Sequence, residues 1–206
     1  RDKSAIVEYD LAAKKEIKEI YSNPNFDVDG LSFSAKRKVL TMANFTSWKA
    51  EHHFLDKETE ADYKKMGDKF NGYEISIYGN NNAEDKFVVW TGNDKVAATY
   101  YFYDKATGET KFLAEAFPWW KEGDMASMKP IEYKSRDGLT IHGYLTLPKG
   151  YEAKNLPVVI NPHGGPWARD DWGFNPEAQM FANRGYAVLQ MNFRGSTGYG
   201  KEFWLK

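Results

Sequence analysis

Alternating hydrophobic and polar positions recur through the first 118 residues and predict a series of short β-strands. Residues 73–78 alternate with period two, and residues 86–90 are a run of β-branched and aromatic side chains. Residues 73–117 form the clearest four-stranded unit. Residues 57–66 depart from this pattern, because their composition favours a helix and opposite charges stand three and four positions apart.

A strand followed by an aspartate-led turn occurs three times, with Asp10, Asp56 and Asp104 at the turns. These aspartates are 46 and then 48 positions apart, close to the roughly 40–50 residues per blade of β-propellers. An aspartate carboxylate accepts hydrogen bonds from amides ahead of it and closes a turn between antiparallel strands. We therefore predict that residues 1–118 are all-β blades from the C-terminal part of a β-propeller, with a helical insertion near residues 57–70. The alternative is a surface helix of an α+β domain.

The pattern changes after residues 119–130, which we interpret as a linker. Residues 131–147 predict a β-hairpin that turns at Asp137-Gly138, a dipeptide that favours the positive φ of a tight turn. The continuous apolar run at residues 157–161 predicts a strand buried on both faces of a mostly parallel sheet.

A helix and a second buried strand follow this run. Asn175 and Pro176 predict an N-cap and a first helical residue, and residues 186–191 predict the strand. Hairpin, strand, glycine-rich loop, helix and strand is the order in which an α/β-hydrolase sheet begins. Residues 131–206 are therefore predicted to be the N-terminal half of an α/β-hydrolase domain, ending before the nucleophile.

The glycine pair after the first buried strand predicts acyl-transfer chemistry. A right-handed crossover places the loops after both parallel strands at one edge of the sheet. Backbone amides there stabilise the oxyanion of acyl transfer, and glycine lets the backbone approach the substrate. Gly165 is our candidate for the oxyanion-hole donor, and Gly164 is the alternative.

The other polar residues of these loops are assigned mainly structural roles. The catalytic histidine of an α/β-hydrolase comes last in chain order, so His163 is expected to fasten its own loop together with Pro166. Ser196 lacks the spacing of a nucleophile. Asp170 could meet the amino terminus of a peptide, and the alternative is a solvated or helix-capping residue.

Composition excludes several classes of protein. The chain has 28 Lys and Arg against 29 Asp and Glu and contains no basic stripe, so nucleic-acid and membrane partners have no support. It contains no cysteine, which excludes disulfides and thiolate chemistry but leaves the compartment open. His52 and His53 are adjacent on a predicted strand and point to opposite faces, so a shared metal site is not expected.

The motifs at residues 161–167 and 182–200, with the hairpin at residues 133–147, resemble the prolyl oligopeptidase family of serine peptidases. The resemblance is to its acylaminoacyl-peptidase and dipeptidyl-peptidase-like branch, and it covers about residues 130–204. It implies a β-propeller that caps an α/β-hydrolase, short peptides as substrates, a Ser–Asp–His triad, and no metal or organic cofactor. It also places the oxyanion donor at Gly165 and a structural or positioning role at Arg194.

The motif Gly-x-Ser-x-Gly, which carries the nucleophile, does not occur in this sequence. The chain begins within a strand-like pattern and stops within a helix-like one, so we expect an internal fragment that is inactive and poorly stable on its own. The alternatives for the whole protein are a carboxylesterase and a catalytically inactive binding protein. The sequence leaves a homo-oligomeric assembly open.

Overall fold

The computed structural model describes residues 1–165 and 167–206. Pro166, which the sequence assigns to the glycine loop, lies outside the described residues. Three antiparallel sheets precede one mixed sheet along the chain. Their strands are β1 (Ala5–Asp10) and β2 (Lys15–Ser22) in the first, β3 (Val28–Ser34), β4 (Val39–Thr46) and β5 (Ala50–Phe54) in the second, and β6 (Glu74–Asn80), β7 (Lys86–Gly92), β8 (Thr99–Asp104) and β9 (Thr110–Glu115) in the third.

The third sheet has the strand order β6-β7-β8-β9, so the four-stranded unit predicted at residues 73–117 is present. The repeated aspartates make the predicted backbone contacts. The Asp10 Oδ1 accepts from the amides of Ala12 and Ala13, both at 2.9 Å. The Asp104 Oδ1 accepts from the amide of Ala106 at 2.9 Å. Each of these two aspartates therefore closes the turn of a hairpin.

Asp56 uses the same chemistry to begin a helix instead of a strand. Its carboxylate accepts from the Thr59 amide at 2.9 Å and caps α1 (Lys57–Lys69), the helix that the sequence predicted. α1 buries Tyr63 and Met66. These two side chains join the largest apolar cluster, whose other buried members come from strands β4, β7 and β8: Met42, Phe87, Val89 and Tyr103.

The mixed sheet has the strand order β10-β11-β13-β12, in which only β12 and β13 are parallel. Its hairpin turns where the sequence predicted, with Gly138 at φ 84°. The first strand starts three residues earlier than predicted, inside the expected linker. The elements are β10 (Met128–Lys134), β11 (Thr140–Thr146), β12 (Val158–Ile160), α2 (Pro176–Ala182), β13 (Ala187–Asn192) and α3 (Lys201–Trp204).

The prediction that β12 is buried on both faces is wrong. β12 is an edge strand that pairs only with β13 among the described residues, and Val158 and Ile160 are 55% and 53% exposed. An apolar run indicates that both faces of a strand could be buried. No described element packs over the exposed side chains of β12. β13, in contrast, is buried as predicted, with Val188 fully enclosed.

The start of the chain packs against its last helix. The backbone carbonyl of Asp2 accepts from the Lys201 amide at 2.9 Å, and its carboxylate accepts from the Glu202 amide at 2.6 Å. The Lys3 ammonium donates to the Tyr199 carbonyl at 2.8 Å. Within the part of the chain that the structure describes, no helix is long and apolar enough to cross a lipid bilayer.

Candidate active site

The loops that follow β12 and β13 meet at one edge of the mixed sheet, as the crossover predicts. We call them the glycine loop (residues 161–174) and the serine loop (residues 193–200). Thr197 in the serine loop donates its amide to the Ala168 carbonyl of the glycine loop at 2.9 Å. Gly164 and Gly165 are exposed at the surface of the glycine loop.

His163 joins the two loops. Its ring stacks on Phe193 with centroids 4.4 Å apart. Its Nδ1 lies 2.8 Å from the Gly164 carbonyl oxygen, and its Nε2 lies 2.7 Å from the Ser196 Oγ. A carbonyl oxygen only accepts hydrogen bonds, so we assign the proton of the neutral ring to Nδ1, and Nε2 then accepts from the Ser196 hydroxyl.

The contact to Gly164 fixes the direction of the next amide. The Gly164 carbonyl and the Gly165 N–H belong to one planar trans peptide unit, in which the two bonds point in opposite directions. Because the carbonyl is directed at the His163 ring, the Gly165 N–H is directed away from it. Gly165 has φ 134°, a backbone conformation that a side chain would strain.

Asp170 is half-buried and is neither a helix cap nor fully solvated. Its Oδ1 accepts from the Gln190 Nε2 at 2.9 Å, and its backbone exchanges two hydrogen bonds with the Asn192 side chain, at 2.7 and 3.0 Å. Burial raises the pKa of the Asp170 carboxyl. Its Oδ2 is buried without a hydrogen-bond partner among the described residues. Asp170 therefore ties the glycine loop to β13.

Arg194 lies on the serine loop but forms its ion pair with the β10–β11 hairpin. Its Nη2 donates to both carboxylate oxygens of Asp137, at 3.0 and 2.8 Å, and both side chains are exposed. The Ser135 hydroxyl and Arg194 together hold the pKa of Asp137 below its usual range. The structure thus pairs Arg194 with the turn of the β10–β11 hairpin.

Sequence reasoning missed two residues that hold these loops, Arg169 and Asn192. Asn192 is fully buried at the end of β13, and its amide also donates to the Tyr199 hydroxyl at 2.7 Å. The Arg169 side chain is only 10% exposed. Its guanidinium reaches carbonyls of the β4–β5 turn, more than 120 residues away in sequence.

The two adjacent histidines make separate contacts. The His52 Nδ1 lies 2.8 Å from the Asn44 Oδ1, whereas His53 stacks on Tyr21 with centroids 3.9 Å apart. Among the residues that the structure covers, no group of three or more His, Cys, Asp or Glu side chains is arranged to hold a metal ion.

Glu74, at the start of β6, has a carboxyl group whose pKa is raised. Burial raises its pKa to about 7, Asp171 adds to the rise, and Lys49 opposes it. Its Oε1 is buried without a hydrogen-bond partner among residues 1–165 and 167–206. The folded protein therefore holds this proton more tightly than the unfolded chain does.

Stability is expected to fall as the pH rises from about 4.5 to about 7 because of Glu74. Over that range the unfolded chain has released this proton and the folded chain retains it, so folding loses free energy. Glu74→Gln removes the titration, and its melting temperature should fall less than that of the wild type between pH 5 and pH 8. Glu109→Gln, at an exposed site, is the control. Parallel pH profiles for the wild type and Glu74→Gln would contradict the assignment.

Sequence comparison relates this chain to known peptidases. Residues 172–205 match the sequence model of the prolyl oligopeptidase family. The chain is 31% identical over 210 residues to dipeptidyl aminopeptidase BIII of Pseudoxanthomonas mexicana, covering 98% of this chain and 30% of that protein. It is 24% identical over 210 residues to the probable dipeptidyl-peptidase 5 of Aspergillus clavatus, covering 98% of this chain and 28% of that protein. The chain thus spans less than a third of the length of these relatives.

Solved structures share the fold. A puromycin-hydrolysing peptidase of Mycobacterium tuberculosis superposes with a TM-score of 0.66 at 19% identity, covering 94% of this chain and 31% of that chain. An acylaminoacyl peptidase of Pyrococcus horikoshii superposes with a TM-score of 0.55 at 21% identity, covering 88% of this chain and 28% of that chain. The sequence matches confirm the resemblance predicted from the glycine-loop and serine-loop motifs: this chain is similar to the prolyl oligopeptidase family of serine peptidases, whose sequence model matches residues 172–205.

Proposed function

We propose that this chain is part of a serine peptidase that hydrolyses short peptides through an acyl-enzyme, and that it supplies one donor of the oxyanion hole. The observation that carries the proposal is the contact of the His163 Nδ1 with the carbonyl oxygen of the Gly164–Gly165 peptide unit. This contact directs the Gly165 N–H away from the His163 ring. Gly165 is exposed on the glycine loop, and the serine loop lies beside it at the same edge of the sheet.

Gly165 would act where charge develops. When a nucleophile attacks a peptide carbonyl, the oxygen gains negative charge, and an amide held about 2.7–3.1 Å from that position stabilises it. In an α/β-hydrolase a second amide follows the nucleophile itself. Since this sequence has no Gly-x-Ser-x-Gly motif, we assign the triad and the second amide to residues outside these 206. The chain alone would then show no hydrolysis.

The domain organisation that we propose has propeller blades in residues 1–118, a linker that ends where β10 begins at Met128, and the start of an α/β-hydrolase domain from there to residue 206. Three consecutive antiparallel sheets support the first part. The parallel β12–α2–β13 unit, with the glycine loop after β12, supports the last. A propeller over the site would admit short peptides and exclude large folded proteins.

The His163–Ser196 pair resembles two members of a catalytic triad, and we assign it a structural role. Ser196 is 0% exposed, so its hydroxyl cannot reach a substrate carbonyl. Its hydrogen bond instead holds the ring that orients Gly164. We propose that Asp170 acts in the same way, by holding the backbone of the glycine loop against β13.

Hydrolysis of peptide amides by the full-length protein tests the proposal. The full-length protein should release p-nitroaniline from aminoacyl and dipeptidyl p-nitroanilides, and the 206-residue chain should release none above buffer. Turnover of p-nitrophenyl esters without amide hydrolysis would favour a carboxylesterase. A folded full-length protein that hydrolyses neither would favour an inactive binding protein and would refute the peptidase proposal.

A further inference from the structure

Arg169 connects the glycine loop to the second antiparallel sheet. Its Nη1 and Nη2 donate to the carbonyls of Thr46 and Ser47 in the β4–β5 turn, at 3.2 and 2.9 Å. The side chain also donates to the Tyr199 hydroxyl at 3.2 Å and pairs with Asp171 at 2.7 Å. We propose that Arg169 is a positioning residue through which the β4–β5 turn sets the position of the Gly164–Gly165 amides. This inference rests on the proposed oxyanion role of the glycine loop.

The β4–β5 turn (residues 46–50) is a well-held anchor. Within the turn, the Ser47 amide donates to the Lys49 carbonyl at 3.0 Å. From β11, the Tyr144 hydroxyl donates to the Trp48 carbonyl at 2.9 Å. The Lys49 ammonium lies 3.5 Å from the centre of the Trp172 ring. The turn is therefore held by contacts besides those of Arg169, and Arg169 can transmit its position.

The glycine loop is compact between Gly165 and Arg169. A Cβ on Gly165 would lie 2.7 Å from the Trp167 nitrogen and 3.3 Å from the Ala168 nitrogen. The Ala168 carbonyl, in turn, is held by the Thr197 amide. Because Gly165 lies this close to residues 167 and 168, a displacement of residues 168–169 is expected to shift the backbone of Gly165.

The geometry of this contact suits arginine specifically. The guanidinium meets two carbonyls, a hydroxyl and a carboxylate in different directions, which a planar group with five N–H donors can satisfy and a single ammonium cannot. It also lies 4.8 Å from the centre of the Tyr199 ring. A Cβ on Gly198 would lie 2.5 Å from the Arg169 Nη1, so the serine loop leaves room for the guanidinium only with glycine there.

Removing the guanidinium should lower turnover more than substrate binding. A misplacement of about 1 Å in catalytic groups costs on the order of 10²-fold in rate. In the full-length protein, Arg169→Met is expected to lower kcat by about 10- to 100-fold and to leave KM within about threefold, because the donor acts in the transition state. Arg169→Lys keeps the positive charge but lacks the planar guanidinium, so we expect a smaller decrease in kcat and no change in KM. The lysine variant still tests the proposal if Arg169→Met does not fold.

Arg184→Met is the matched control, because it removes an exposed guanidinium that lies outside both the glycine loop and the β4–β5 turn. Its kcat should stay within about threefold of the wild type. An equal kcat loss in Arg184→Met would show that the loss does not depend on the contact with the turn, and it would overturn the specific role of Arg169. A change in KM alone for Arg169→Met would also overturn it.

Amide hydrogen exchange supplies a readout that does not need activity. The hydrogen-bonded amides that hold the glycine loop, those of Asp170 and Thr197, should exchange about tenfold faster or more in Arg169→Met and at an unchanged rate in Arg184→Met. If the wild type hydrolyses no substrate, the peptidase proposal fails, and this exchange measurement alone decides whether Arg169 positions the loop. Unchanged exchange and unchanged kcat in Arg169→Met would refute the inference.

Discussion

Replacing Gly165 by proline in the full-length protein is expected to lower kcat by about 10²–10³-fold, the usual cost of removing one oxyanion-hole donor. Proline has no N–H, and Gly165 carries the amide that the His163 contact turns away from the ring. The measurement is steady-state hydrolysis of an aminoacyl p-nitroanilide, with the fold of each variant checked by circular dichroism.

The matched control at this position is Gly165→Ala, which keeps the amide. Alanine also strains the loop, because Gly165 has φ 134° and a Cβ there would meet the Trp167 nitrogen at 2.7 Å. The kcat ratio of the alanine to the proline variant therefore isolates the donor from the strain. Equal kcat values for the two would remove Gly165 from the oxyanion hole.

A second pair of variants tests the alternative donor. A Cβ on Gly164 has open space around it, so Gly164→Ala should keep kcat within about threefold of the wild type. The donor is Gly164 if the kcat of Gly164→Pro falls well below that of Gly164→Ala, while the kcat of Gly165→Pro does not fall well below that of Gly165→Ala.

Replacing Met66 by alanine is expected to lower the free energy of opening of the apolar cluster formed by α1, β4, β7 and β8 by about 2–5 kcal/mol. Met66 is fully buried and packs with Tyr63 from its own helix and with apolar side chains of three strands. Truncation leaves a cavity that this close-packed cluster can only partly fill. Native-state hydrogen exchange of the α1 and β7 amides measures the loss as a lower free energy of opening.

The neighbouring Lys65 provides the control, since its side chain is exposed to solvent. Lys65→Ala should change the free energy of opening by no more than about 0.5 kcal/mol. A loss of less than about 1 kcal/mol for Met66→Ala would mean that the cluster collapses onto the vacated volume.

Elements with local causes could be predicted from the sequence. Asp10 and Asp104 close hairpins and Asn175 caps α2 because each side chain reaches amides only two or three residues ahead. The helix after Asp56 was signalled by composition and charge spacing within the segment itself. In each case the determining atoms lie within a few residues, so spacing alone carries the information.

Burial and long-range contacts could not be predicted in this way. The run at residues 157–161 shows that β12 is apolar, but exposure depends on what packs against it. Arg169 finds its carbonyl partners 122 and 123 residues away, and backbone carbonyls give no sequence signal. A local indication was Asp171, two residues further along the chain, which pairs with it.

The contact between Asp2 and α3 has a consequence for how the chain is made. Its partners stand about 200 positions apart, the separation given by the hydrogen bond from the Glu202 amide to the Asp2 carboxylate. At roughly 5–20 residues per second of synthesis, the ribosome reaches residue 202 about 10–40 s after residue 2. Closing so long a loop is also entropically costly. The segment around Asp2 therefore waits for its partner while the chain grows, and its docking onto α3 is expected to be among the last steps of folding.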